Sequence, residues 1–356
     1  MSTVSGIAGA RPLVITGMHR SGTSLLASLL AGAGLSVGSR LIGASRGNDR
    51  GHWEDLDFYE FHVRALEANG VASEGFACSD HLLVPAEMRE DAATLVGSKA
   101  AAGHAWGWKD PRTTLFLEFW HDVLPEAAYV FVFRSPWEVA DSLFRRGDPI
   151  FARNPALAVR IWLHYNRRVR DFCLAHRERC VLVSVTQVAT DPAAVLGVVR
   201  GRFDLPLGEA QSRYEAPLLL RDDCIRRQEI VAALEPEAPT LYAEMLRLAG
   251  TAGSDQVSLR RTDRGSIAEH AITEWSRAAA SVATAVNAAR VAAESEAREL
   301  GGRLSAIERE KQSLEGRMRE LQARADELAL HVERLALGRR DSTVQDSSPR
   351  LWRIAQ

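Results

Sequence analysis

The stretch Arg11-Pro-Leu-Val-Ile-Thr-Gly-Met-His-Arg-Ser-Gly-Thr-Ser-Leu-Leu26 decides how the chain is read. Leu13, Val14 and Ile15 form an apolar run that predicts a buried strand. Gly17 to Gly22 follows as a tight polar turn. Thr23 to Ala31 predicts a helix with Leu25, Leu26, Leu29 and Leu30 on its apolar side. A strand that feeds a helix through such a turn aims several backbone N–H groups, and the positive end of the helix dipole, at one spot. That spot suits a phosphate or a sulfate.

Further strand-like and helix-like pieces alternate downstream. His52 to about Ala68, with Phe58, Phe61, Ala65 and Leu66 at helical spacing, predicts a helix, as do residues 87 to 102. Ala105 to Lys109 predicts a strand that runs into Asp110-Pro-Arg112 and a helix from Thr113 to Val123, with Asp110 as N-cap and Pro111 in the first turn. Tyr129 to Phe133 predicts a fully buried strand, followed by a helix from Ser135-Pro136 to about Arg146. Pro155 to His176 is a long amphipathic helix and Cys180 to Val185 a further strand. Asp191-Pro192 opens a helix to Phe203, and a last helix is expected over about Ile225 to Ala249. This alternation predicts an α/β domain, a parallel sheet covered by helices on both faces. Ligands of such sheets bind beyond the carboxyl ends of the strands.

Bulk composition narrows the function classes. The chain has 356 residues, enough for a catalytic domain and an extension, and 46% are apolar, as in ordinary globular proteins. A net charge of −2 gives no general pull toward nucleic acid or an anionic membrane. Cys78, Cys173, Cys180 and Cys224 show no metal-type spacing and are expected as free thiols. No metal site is expected. The absence of a signal-like start and of an apolar run of about 20 residues predicts a cytoplasmic chain without a membrane span.

The first loop has the outline of the nucleoside triphosphatase loop, but that loop needs a lysine after its second glycine, and here Thr23 stands in that place. A nucleotide kinase or hydrolase therefore fits poorly. Instead, Arg20-Ser-Gly-Thr-Ser24 after an apolar strand resembles the 5′-phosphosulfate loop of sulfotransferases that use 3′-phosphoadenosine 5′-phosphosulfate. Arg134 after a buried strand, with Ser142 eight residues on, resembles that family's 3′-phosphate clamp. Lys109-Asp110-Pro111 resembles a segment of its tyrosylprotein branch, and the strand Val181 to Val185 running to Asp191-Pro192 resembles its late strand. The resemblance spans roughly residues 11 to 250 and implies a P-loop-type domain over 1–250 that binds this donor and transfers its sulfuryl group to an acceptor hydroxyl. An adaptor that keeps the nucleotide pocket without catalysis is a third possibility.

The resemblance assigns donor binding to Gly17, His19, Arg20, Ser21, Gly22, Thr23 and Ser24 of the loop, and to Arg134 and Ser142. Lys109, with Arg20, is the expected cation at the leaving oxygen. Glu54 is the expected base, since related families place a glutamate shortly after the loop helix, with His52, Asp55, Asp57 and Asp110 as rivals. Two departures stand out. Val185 occupies the place of an adenine-stacking tyrosine, and the Gly-rich basic segment of the cytosolic branch is missing; Arg226 and Arg227 are candidates to replace it. Trp53, Trp106 and Trp108 fall near the expected acceptor side, where a ring can stack a sugar or ring substrate; Trp106 and Trp108, on a strand, are expected in the core.

Residues 251–265 read as a linker, 266–338 as a helical region and 339–356 as a disordered tail. Leu300, Leu304, Ile307, Lys311, Leu314, Met318, Leu321, Ala325, Leu328, Val332 and Leu335 alternate spacings of four and three, the heptad pattern of a coiled coil. It predicts a homo-oligomer through residues 300–337. The alternative is an intrachain hairpin of 266–299 and 303–337 that turns at Gly301-Gly302.

Overall fold

The structure is a computed structural model and describes residues 11–43, 51–100, 105–209, 224–250 and 265–344. Most of the expected linker (251–264) and the end of the expected tail (345–356) lie outside the described residues.

Four strands, β1 (Leu13–Thr16), β2 (Gly107–Lys109), β3 (Ala128–Phe133) and β4 (Cys180–Ser184), form a parallel sheet in the order β2-β1-β3-β4. Ile15 pairs with Lys109 and with Val130, and Phe133 with Ser184, so the four carboxyl ends lie along one edge. The chain leaves β1 for one neighbour and returns on its other side. The direction of winding therefore reverses beside β1, where open α/β sheets place their ligands.

Side chains that alternate along the buried strands divide between two apolar layers. Val14, Trp108, Tyr129, Phe131 and Phe133 face an aromatic-rich layer. It is completed by helices α2 (Leu56–Ala68), α3 (Met88–Ala100), α4 (Leu117–Val123), α5 (Pro136–Arg146), α6 (Pro149–Arg153), α7 (Ala156–Ala175), α10 (Cys224–Leu234) and α11 (Glu237–Leu248). Leu13, Ile15, Val130, Val132, Val181 and Val183 face an aliphatic layer made with α1 (Thr23–Gly32), α8 (Val185–Thr190) and α9 (Pro192–Phe203). Trp106 and Trp108 are core residues, the latter stacked on Phe58 at 4.3 Å.

Several boundaries differ from expectation. The segment Pro111–Phe116 is a 3₁₀ turn ahead of α4 rather than the start of one α-helix. The expected helix over 225–249 is two helices, because Pro236 cannot continue α10 and instead precedes α11. The short helices α6 and α8 are additional; α8 starts on a capping box between Ser184 and Gln187 that ends β4 one residue early.

The last helix, α12, spans Gly265–Val344. Its first turns belong to the compact unit that runs to Thr284, and Ala268, Ile272 and Ala279 are buried there. The second unit starts at Ala285. Its helix passes through Gly301 and Gly302 without a turn, so the expected hairpin is not formed, and it continues to Val344, past the expected start of the tail at 339. Within this unit Leu300, Leu304, Ile307, Leu314, Met318, Leu321, Leu328, Val332 and Leu335 are each between 52% and 70% exposed.

Two glycines make opposite predictions. Gly17 has φ +141°, and a Cβ there would stand 2.2 Å from the Val132 carbonyl oxygen. Gly97 lies inside α3, where a Cβ would meet nothing within 4 Å. Gly17→Ala is expected to lower stability by about 2–3 kcal/mol and Gly97→Ala to raise it by about 0.5–1 kcal/mol. Denaturant titration checks both; an unchanged midpoint for Gly17→Ala contradicts the tight turn.

Candidate active site

The loop after β1 is shaped by backbone rather than side chains. Gly17 lets it pass against Val132, Arg20 takes a left-handed φ of 66° and Gly22, at the start of α1, one of 96°. Among the described residues α1 has no side-chain cap, so the orphan N–H groups of its first turn face the loop without one. Ser24 Oγ donates to the His52 carbonyl oxygen at 3.1 Å. The side chains of His19 and Ser21 are buried, and His19 Nε2 and Ser21 Oγ have no hydrogen-bond partner among the described residues. Burial, with Arg112 and Arg146 nearby, holds the His19 imidazole well below its usual pKa.

Lys109 closes β2, the strand beside β1, and is 2% exposed. Its Nζ donates to Glu54 Oε1 at 2.6 Å and to the His52 carbonyl at 2.9 Å. Glu54 is brought there by the segment before α2. The Ile42 N–H bonds its carbonyl at 2.8 Å, Leu56 N–H bonds Arg40 O at 2.8 Å, and Trp53 turns the chain with φ 57°. The His52 carbonyl thus joins the glutamate's segment to both the strand end and the first turn of α1.

Arg112, two residues past Asp110, is the residue the sequence reading missed. Its Nη1 bonds Glu54 Oε2 at 3.3 Å and Asp110 Oδ1 at 2.9 Å, its Nε bonds Ser73 O at 2.6 Å, and its guanidinium lies over the Tyr59 ring at 4.6 Å. Asp110 caps the 3₁₀ turn through Arg112 N–H, as expected, while its other oxygen takes His62 Nδ1 at 3.0 Å. Trp120 Nε1 donates to His62 Nε2 at 2.9 Å. An indole N–H can only donate, so the ring proton of His62 sits on Nδ1 and is given to Asp110. Arg112 and His62 together hold the buried Asp110 carboxyl well below the usual carboxylate range. The signal for Arg112 was its place in the Asp-Pro-Arg run; His62 was the one polar side chain on the buried face of α2.

Three of the rivals for the base, Asp55, Asp57 and Asp110, are held in ion pairs. Asp55 and Asp57 both pair with Lys99, Asp57 also with Arg40, and the Lys99 bond lowers the Asp57 pKa. Burial lowers the pKa of the His52 ring. Asp110 is committed to Arg112 and His62. Among the described residues no group of three or more His, Cys, Asp or Glu side chains is placed to hold a metal.

Arg134 follows β3, across β1 from Lys109, and its Nη2 bonds Glu138 Oε1 at 3.1 Å while its carbonyl accepts from Trp162 Nε1 at 2.9 Å. Ser142 Oγ accepts from Arg20 Nε at 2.9 Å, so the loop and α5 are joined directly. Val185 lies under Gly22, where a Cβ would stand 2.5 Å from its Cγ2. Trp53 is half-buried against the aliphatic layer. Arg226 is exposed, and Arg227 pairs with Asp141.

Comparison with known proteins gives one decisive match. The sulfotransferase domain from the curacin biosynthetic pathway shares 18% identity and a TM-score of 0.37, covering 59% of this chain and 77% of its own. The sulfotransferase domain from the Synechococcus PCC 7002 olefin synthase shares 16% and 0.38, covering 77% and 98%. A sulfotransferase from Alicyclobacillus acidocaldarius shares 14% and 0.42, covering 69% and 98%. The search of curated proteins finds no sequence match. Residues 12–209, more than half of the chain and all four strands, match the sulfotransferase family, and the chain belongs to that family.

Proposed function

We propose that the protein transfers the sulfuryl group of 3′-phosphoadenosine 5′-phosphosulfate to an acceptor hydroxyl, with a carbohydrate or another small or glycan acceptor favoured. The observation that carries this reading is the buried Lys109–Glu54 pair, tied through the His52 carbonyl to the first turn of α1. It sets a cation and a proton acceptor side by side at the mouth of an anion loop. The donor supplies an electrophilic sulfur and a good leaving group. The acceptor oxygen forms a bond to sulfur, the bridging S–O bond breaks, 3′,5′-adenosine bisphosphate leaves, and Glu54 takes the hydroxyl proton.

Each residue has a part in this scheme. The N–H groups of Gly17 to Ser24, with the hydroxyls of Ser21 and Thr23 and that of Ser24 once it leaves the His52 carbonyl, cradle the 5′-phosphosulfate. His19 lines the loop as a neutral ring. Lys109 and Arg20 neutralise charge that develops on the leaving oxygen. Arg134 and Ser142 hold the 3′-phosphate through a planar fork and a hydroxyl. Glu54 can release Oε1 when Lys109 turns toward the donor, because Arg112 still fixes Oε2. Thr23 in place of the triphosphatase lysine argues against a kinase or hydrolase. Cys78, Cys173 and Cys180 are free, which supports a reducing, cytoplasmic setting. No described helix is long and apolar enough to cross a membrane. The exposed heptad face from Leu300 to Leu335 supports association with a second copy as a coiled coil through 300–337.

Glu54→Gln is expected to leave affinity for 3′,5′-adenosine bisphosphate within about twofold while lowering transfer to a panel of sugar and phenolic hydroxyls by about 100-fold or more. Calorimetry and a labelled-sulfate assay check this; transfer near the wild-type rate moves the base to another residue. Sedimentation of the full chain is expected to give a dimer mass, and a monomer at all concentrations contradicts the coiled coil.

A further inference from the structure

Ser142 has a neighbour with an unusual set of partners. Asp141, the preceding residue of α5, carries a side chain that is only 1% exposed. Its Oδ2 pairs with Arg145 one turn on. Its Oδ1 takes Arg227 of α10 at 3.2 Å and the indole N–H of Trp275, from the first turns of α12, at 2.9 Å. Trp275 also stands edge-on to Phe144 at 5.2 Å and lies under the Arg227 guanidinium at 5.3 Å. A buried carboxylate is costly unless it is paired and hydrogen-bonded, so these contacts hold together or fail together.

Successive helix positions point about 100° apart. Ser142 therefore looks toward the loop, where Arg20 reaches it, while Asp141 looks toward α10 and α12. Any rotation of α5 moves both groups. We infer that Asp141 and Trp275 are positioning residues for the donor site: the start of α12 fixes the rotation of α5 and thereby the placement of Ser142 beside Arg20. The inference rests on the donor proposed above. It makes the start of α12, residues 265–284, part of the donor site's frame.

The test separates positioning from plain stability by comparing two ligands. Calorimetry on the full chain measures adenosine 3′,5′-bisphosphate against adenosine 5′-monophosphate, which lacks the 3′-phosphate. Wild type should prefer the bisphosphate. Trp275→Phe, which keeps a ring against Phe144 but loses the N–H, should weaken the bisphosphate about fivefold, the worth of one net hydrogen bond. It should leave the monophosphate within about twofold. Trp275→Ala should show the same selective loss, larger. Equal weakening of both ligands, or no change in either, overturns the inference. Wild type that binds neither overturns the donor assignment itself, and this inference with it, and is told apart because no variant is needed to see it.

Discussion

Burial of charge is the constraint on which the rest of this structure depends. Glu54, Lys109, Asp110 and Arg112 are all less than a tenth exposed and stand in one connected group. Two carboxylates balance two cations, and His62, itself held by Trp120, bonds the other oxygen of Asp110. Removing one partner from such a set leaves an uncompensated buried charge and is strongly destabilising. The group is therefore rigid as long as it is intact, and a rigid frame is what a site for in-line transfer needs. Lys109 differs from Arg112 in one respect. Arg112 is anchored on Asp110, Ser73 and the Tyr59 ring, whereas Lys109 hangs on a flexible stem between two acceptors. The arrangement pairs an arginine anchored at several points with a lysine held by two hydrogen bonds.

The sheet explains why these groups meet. Its order puts β1 between β2 and β3, so the loop after β1 has Lys109 on one side and Arg134 on the other. The aliphatic layer brings α1 and Val185 close under the loop, and only glycine fits at Gly17 and Gly22. The aromatic layer carries α2 and its buried His62, and α5 with Ser142. Lys109 and Arg134 thus lie on opposite flanks of one strand, and Arg20 of the loop between them bonds Ser142 of α5.

Much of this was legible in the sequence. The buried strands were visible as continuous apolar runs, and the polar residues at their carboxyl ends named Arg20, Lys109 and Arg134 before any geometry was known. The family match covers the same region. Strand order was not legible, because it depends on which helix covers which face. Arg112 was hidden because an arginine after Asp-Pro reads as a helix-start surface residue, and its burial follows only once Glu54 and Asp110 are seen to need it. The 3₁₀ turn was missed because Pro111 is as compatible with an α-helix start as with a tighter turn. The break at Pro236 was readable, and the Leu/Ala periodicity on both sides masked it. In α12 the hairpin looked reasonable because of Gly301 and Gly302, yet two glycines lower helix propensity without forcing a turn.

The most direct measurement is a crystal structure of the full chain with 3′,5′-adenosine bisphosphate. The 5′-phosphate is expected against the backbone N–H groups between Ser21 and Ser24, the 3′-phosphate between Arg134 and Ser142, and Lys109 Nζ turned from Glu54 toward the 5′-phosphate while Arg112 stays on Glu54. A nucleotide bound away from this loop, or a loop-bound phosphate with Lys109 still held on Glu54, would contradict the donor site and the division of labour between the two cations.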